Sequence, residues 1–167
     1  MFTISKRRAV IALTAISSLI FITSCKNKAD YQTTRKEVLA LHDKVMADGG
    51  KAENEEMQFD SLLKSGLKQL KLNQPALDTA AARTQITTLN KQLGNADEQM
   101  GNWMHAYNSD FKGKTDQETV DYFVAEKGKI SKVDSLYKDA LRSADNYFKQ
   151  LKIKPDSSTR MDSKMKM

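Results

Sequence analysis

Between residues 26 and 151 a single proline, Pro75, interrupts the chain, and apolar residues recur at alternating steps of three and four. Together these constrain the fold more than any other feature. A helix interior excludes proline, which removes a backbone hydrogen bond at a cost of ~3 kcal/mol. A three-four rhythm lines side chains along one stripe of a helix, whereas a strand alternates them between two faces. Ala, Leu, Lys, Gln, Glu and Met dominate the same stretch, and Val, Ile and Thr form no alternating runs. These are helix-forming preferences, and an all-α fold follows.

The breaks in the pattern define the segments. Asn73-Gln74-Pro75 is read as a stop followed by a proline at the first position of a new helix. Phe111-Lys112-Gly113-Lys114 before Thr115-Asp116-Gln117-Glu118 is a glycine stop and then a capping box. Thr34 with Glu37 suggests a second, weaker box near the start of the first helix. Three segments result, 30–72, 75–111 and 115–151, of nearly equal length. Short loops between equal helices make neighbours antiparallel, so residues 30–151 are expected to form an elongated antiparallel three-helix bundle. At 1.5 Å per residue each helix is on the order of 55 Å long. From Lys152 onward Pro155, Asp156, Ser157, Ser158 and scattered methionines lose the rhythm, and residues 152–167 read as a disordered basic tail.

The expected core stripes are Ala82, Ile86, Leu89, Leu93, Ala96, Met100, Trp103 and Tyr107 in the second helix. In the third they are Phe123, Glu126, Ile130, Val133, Tyr137, Ala140, Ala144, Tyr147 and Leu151. The first helix offers Val38, His42, Val45, Gly49, Ala52, Glu56, Phe59, Leu63, Gly66 and Leu70. Its weak point is Gly49-Gly50, where each glycine costs close to ~1 kcal/mol relative to alanine. A break there would give four helices, the rival architecture.

Ahead of the helices lies a different kind of segment. Lys6-Arg7-Arg8 precedes an apolar run from Ala9 to Phe21, followed by Ile22-Thr23-Ser24-Cys25. A basic start, an apolar middle and small residues at the end are the parts of an export signal. The run is short for a membrane span, which needs about 20 apolar residues. Ile22-Thr23-Ser24-Cys25 resembles a lipobox, the processing site of bacterial lipoproteins. That resemblance implies residues 1–24 as a signal peptide, with Cys25 lipidated and residues 25–29 a short tether. Lys26 where inner-membrane lipoproteins carry aspartate resembles the outer-membrane class. Burial of acyl chains stabilises by about 0.8 kcal/mol per methylene, so several chains on one residue anchor it permanently in the bilayer.

Charge narrows the partners. The chain holds 27 Lys plus Arg against 21 Asp plus Glu, a formal charge of +6, and residues 1–24 take three basic and no acidic side chains with them, leaving +3. A weak excess spread over mixed-sign helices argues against nucleic acid. Cys25 is the only cysteine, so no disulfide closes within the chain and stability rests on packing.

Folding at the two turns places facing residues at numbers summing to about 148 across the first and about 226 across the second. His42 then lies level with Ala106 and Val120, and His42, Met46, Met100, Trp103, Met104, Tyr107, Phe123 and Glu126 gather in the third of the rod nearest Cys25. Leu41-His42-Asp43 with Met46, then Met100 and Trp103-Met104, is similar to a group of small helical bacterial lipoproteins labelled "viral A-type inclusion protein". The resemblance implies a lipid-anchored helical protein and names no activity.

Two readings of this cluster stay open. His42 with Met46, and Met100 with Met104, each stand one helical turn apart, and imidazole with thioether suits copper or haem iron. Alternatively methionine fills gaps beside a tryptophan, and the histidine bonds a neighbour such as Glu126. Glu126, at a core position, is expected to accept a hydrogen bond from Trp103 or His42, or to reach Lys44 or Lys127. His105 turns away from the stripe into solvent. A lone acid is not a catalytic set, and the sequence contains no HExxH, CxxC, GxSxG or phosphate loop. Lys26, Lys28, Arg35, Lys36, Lys112 and Lys114 fall at the anchored end, where they face anionic headgroups or merely solubilise helix ends. The expectation is a periplasm-facing lipoprotein without enzymatic activity, an envelope binding or structural component with no cofactor. It meets the bilayer through Cys25, and an envelope protein or a second copy along its helices. A copper- or haem-binding lipoprotein is the alternative.

Overall fold

The computed structural model describes residues 30–154, so the expectations for the signal segment, Cys25 and residues 155–167 lie outside the described residues. Three helices pack against one another, and the first is long and bent. It comprises α1 (Tyr31–Ser61), a five-residue π-helical turn (Leu62–Gly66) and α2 (Leu67–Asn73). α3 (Thr79–Ala106) returns antiparallel, and α4 (Asp116–Gln150) runs parallel to α1.

The register follows from contacts. Arg83 donates to the Leu63 carbonyl, and Asn90 to Asp60, so α1 and α3 pair at sums of 146 to 150, as expected. Across α3 and α4, Asp97 meets Tyr137 and Asn108 meets Tyr122, at sums of 234 and 230. This pairing is displaced by one to two turns from the expected 226, and His42 is not level with Val120. The cause is the second turn, because α3 ends at Ala106 and not at 111. Asn108 and Asp110 accept hydrogen bonds from the backbone of Asp110 and Lys112, two residues on in each case. Such local bonds compete with the helix and end it early. Gly113, at φ 78, completes the turn, and Thr115 with Glu118 closes the expected capping box.

Two other ends differ from expectation. Pro75 lies in the turn and not inside α3, whose N-cap is Asp78; its carboxylate accepts from the backbone of Ala80 and Ala81. Asp30 caps α1, and Thr34 donates to the Asp30 carbonyl, so Thr34 and Glu37 form no capping box.

α1 runs unbroken through Gly49-Gly50, and the four-helix alternative does not form. A Cβ at Gly49 would stand 3.2 Å from the Tyr137 hydroxyl, so the glycine admits that ring. The irregularity sits further on. The π turn inserts one residue, and the buried stripe moves from the expected Gly66 to Leu67, which is 3 % exposed. Placing a leucine where a glycine would face the core gains on the order of 1.5–3 kcal/mol of apolar burial. The Leu63 carbonyl within this turn accepts from Arg83.

The expected α3 stripe from Ala82 to Trp103 is buried throughout. The α4 stripe is buried from Phe123 to Ala144 and again at Leu151 as expected, with Phe148 buried in place of the half-buried Tyr147. Phe148 stacks on Phe59 at 4.4 Å and 12°, a near-parallel pair that ties α1 to the end of α4.

Candidate functional site

The most organised polar arrangement lies on the seam between α1 and α4, not at the expected cluster. Asp48 and Asp134 are both buried, one on each helix. Asp48 accepts from Lys44 at 3.0 Å and from Lys51 at 2.6 Å. Asp134 accepts from Lys138 at 2.6 Å and also from Lys44, which thereby bridges the two helices. Burial alone would raise both carboxyls. The lysine hydrogen bonds outweigh it and hold Asp48 and Asp134 below the usual carboxylate range. Lys44 is raised in turn, first by its bond to Asp134 and then by its bond to Asp48.

Seven residues along α1 the same seam buries Glu55 without such help. Its Oε2 is buried with no hydrogen-bond partner. Burial, followed by the charge of Asp145 on α4, pushes Glu55 up to about 8, and Lys51 offsets this only in part. On the α3 side, Glu56 is raised by burial and by Asp97, Asp60 and Glu53. Tyr137, buried in the core, donates to Asp97 at 2.5 Å, and burial and this bond raise the phenol.

The expected cluster is assembled only in part. His42 packs its ring 5.9 Å from that of Trp103 and pairs through Nδ1 with Asp43 at 3.0 Å. Met100 is buried at 2 % exposure, whereas Met46 and Met104 are exposed at 46 % and 44 %. Those two stand one residue past Val45 and Trp103 on the stripe, so the helix turns them outward. Glu126 is 2 % exposed; its Oε1 accepts from Lys129 at 2.7 Å, and its Oε2 has no partner. None of the expected partners bonds to it. Trp103 Nε1 is buried without a hydrogen bond, Lys44 serves the aspartates, and Lys127 pairs with Glu37 at 2.7 Å. His105 is exposed, as its position off the stripe implies.

Around this cluster the aromatic rings form a continuous chain. Trp103 meets Tyr107 at 5.1 Å, Tyr107 meets Tyr122 at 6.2 Å, and Phe111 bridges Tyr122 and Phe123. The Tyr122 hydroxyl accepts from the Asn108 backbone at 2.7 Å and so pins the α3–α4 turn to α4. Lys112 and Lys114 share this end with Asp110, Asp116, Glu118 and Asp121, so they stand in a mixed-charge turn and make no basic patch.

Chemically, the seam arrangement fixes helix register, since one lysine satisfies carboxylates from both helices. Among the described residues no group of three or more His, Cys, Asp or Glu side chains is placed to hold a metal ion. None of the described helices is long and apolar enough to cross a membrane. Asp48, Asp134 and Glu55 escaped sequence reasoning because each flanks the apolar stripe. The one available signal was the i,i+3 and i,i+4 spacing of Asp48 with Lys44 and Lys51, and of Asp134 with Lys138. No protein-family model, curated protein or solved structure matches the chain.

Proposed function

We propose that the chain is a membrane-anchored, periplasm-facing bacterial lipoprotein that acts as a non-enzymatic binding or structural module of the cell envelope. The observation that carries this reading is Cys25, the one cysteine, standing after a basic start, an apolar run and Ile22-Thr23-Ser24. α1 is capped by Asp30. Five residues, at no more than ~3.6 Å each, then hold the bundle within about 18 Å of the lipidated residue. The end that carries the α3–α4 turn faces the bilayer, and the α2–α3 turn points away.

Expression of the full chain in a bacterial host with labelled palmitate tests the reading. The expected result is acylated protein in the membrane fraction whose mass corresponds to cleavage before Cys25, and loss of the label in Cys25→Ala. An unlabelled parent chain, or one retaining residues 1–24, contradicts it.

A further inference from the structure

One long face of the bundle is left both apolar and acidic. On α1 the residues one step beyond the core stripe, Leu39, Met46, Gly50, Glu53, Met57 and Asp60, recur in the same rhythm and form a second line. All six are exposed, Met46 at 46 % and Met57 at 52 %. Asp60 accepts from Asn90 of α3, and Asp97 of α3 acts on Glu56, so this line borders α3 and lies on the edge opposite α4. Among the described residues Glu53, Glu56, Asp60 and Asp97 form no ion pair. A Cβ at Gly50, or at Gly101 on α3 at nearly the same level, would meet no atom within 4 Å. The fold therefore leaves this edge open and its charge uncompensated.

The outer side of α4 has the complementary chemistry. Lys132, Leu136, Arg142 and Lys149 are exposed there, Leu136 at 37 %. Lys132 and Lys149 form no ion pair among the described residues, and Arg142 pairs only with Asp139 on the open surface, at 2.7 Å.

The two faces also share a register. Within the bundle Lys44 meets Asp134 and Lys127 meets Glu37, so a residue of α1 is level with the residue of α4 numbered 90 higher. A second copy displaced sideways, parallel and at equal height, keeps that offset. Lys132 then stands against Asp43, Leu136 against Met46, Arg142 against Glu53 and Lys149 against Asp60, each at an offset of 89 or 90. Over ~25 Å of helix every level matches a cation with an acid or an apolar side chain with another. Asp139 falls level with Gly49, where α1 carries no acid.

We propose that the chain associates with further copies of itself in a parallel row at equal height, the outer side of α4 of one copy seated on the α1–α3 face of the next. The two faces differ and lie on opposite sides of the bundle, so the contact is heterologous and does not close at two copies. This inference rests on the described helices and not on Cys25.

Photo-crosslinking between two purified full chains tests it. One chain carries a photoreactive amino acid in place of Met46, and the other is labelled with a heavy nitrogen isotope, so bonds within a copy and between copies differ in mass. The expected product joins the probe to the heavy peptide that contains Leu136. Arg142→Glu with Lys149→Glu in the heavy chain should lower its yield about tenfold, because two attractive pairs become repulsive. Glu53→Arg with Asp60→Arg in the probe chain should then restore it. All four positions are exposed, so helix content by circular dichroism should stay unchanged. Absence of any product between copies overturns the proposal. So does a product joining the probe to α1 of the heavy chain, which is a closed symmetric dimer, or a yield that charge reversal does not move.

Discussion

Asp48 and Glu55 are two buried acids on one helix, seven residues apart and facing the same neighbour, yet their electrostatics are opposite. Asp48 stands between two lysines and shares one of them with Asp134, and its carboxyl lies below the usual range. Glu55 faces Asp145, has a buried oxygen without a partner, and is pushed up to about 8. Solvent exposure is 8 % at each site, but Glu55 lies in the more densely packed surroundings, and burial is the largest cause of its shift. Burial raises both carboxyls, and only at Asp48 do lysine hydrogen bonds overcome it. One position on the seam locks α1 to α4 as an ion-paired clasp, and the other stores a proton.

Substitutions can break this contrast or sharpen it. The largest effect is expected at the apolar support beside Glu55, where Phe59→Ala removes the stack on Phe148 and should cost about 3–5 kcal/mol by denaturant unfolding. Next come the acids themselves, in opposite directions. Asp48→Ala should destabilise at pH 7 by about 1 kcal/mol, because the ion-paired clasp is lost while the half-exposed Lys44 and Lys51 turn to solvent. Glu55→Gln should stabilise at pH 9 by roughly 1–3 kcal/mol and have little effect at pH 4, where the carboxyl is already neutral.

The pH dependence has a definite sign. Glu55 is raised in the folded state from 4.5 to about 8. The folded state then binds more protons, and the stability Glu55 contributes is full below 4.5 and lost as pH rises through about 8. Asp48 and Asp134 are lowered below 3.8, so their contribution is present above that value and lost as pH falls through their folded midpoints. Thermal unfolding across pH should therefore show greatest stability near about pH 5, with Glu55→Gln flattening only the alkaline side. Asp145→Lys would give Glu55 a countercharge and should bring its midpoint down by about 1–3 units, converting it towards the Asp48 type. The smallest effect is expected for Lys44→Ala. Lys51 and Lys138 still serve the two aspartates, and the half-exposed Lys44 should be worth less than about 1 kcal/mol, shrinking further with salt.

Apolar periodicity was the legible part of this fold. The α3 stripe from Ala82 to Trp103 is buried as the three-four rhythm implies, and the Thr115–Glu118 capping box starts α4. Departures arose where a local choice leaves no trace in periodicity. The π turn at Leu62–Gly66 adds one residue without changing composition, and it moves the core position from Gly66 to Leu67. Asn108 and Asp110 end α3 early through side-chain bonds that a glycine-based reading overlooks. The candidate site was less legible. Lys44 reaches Asp134 across 90 residues of sequence, and only the parallel packing of α1 and α4 creates that pair. The His42 cluster was legible as a neighbourhood of His42 and Trp103, but spacing by four turned Met46 and Met104 off the stripe.

Carboxyl-selective NMR titration of Asp48 and Glu55 in one sample tests the contrast most directly. The expected result is an Asp48 midpoint below 3.8 and a Glu55 midpoint near 8. Midpoints at the ordinary values of 3.8 and 4.5 for the two groups would contradict the claim that burial with lysine partners lowers one acid while burial without them raises the other.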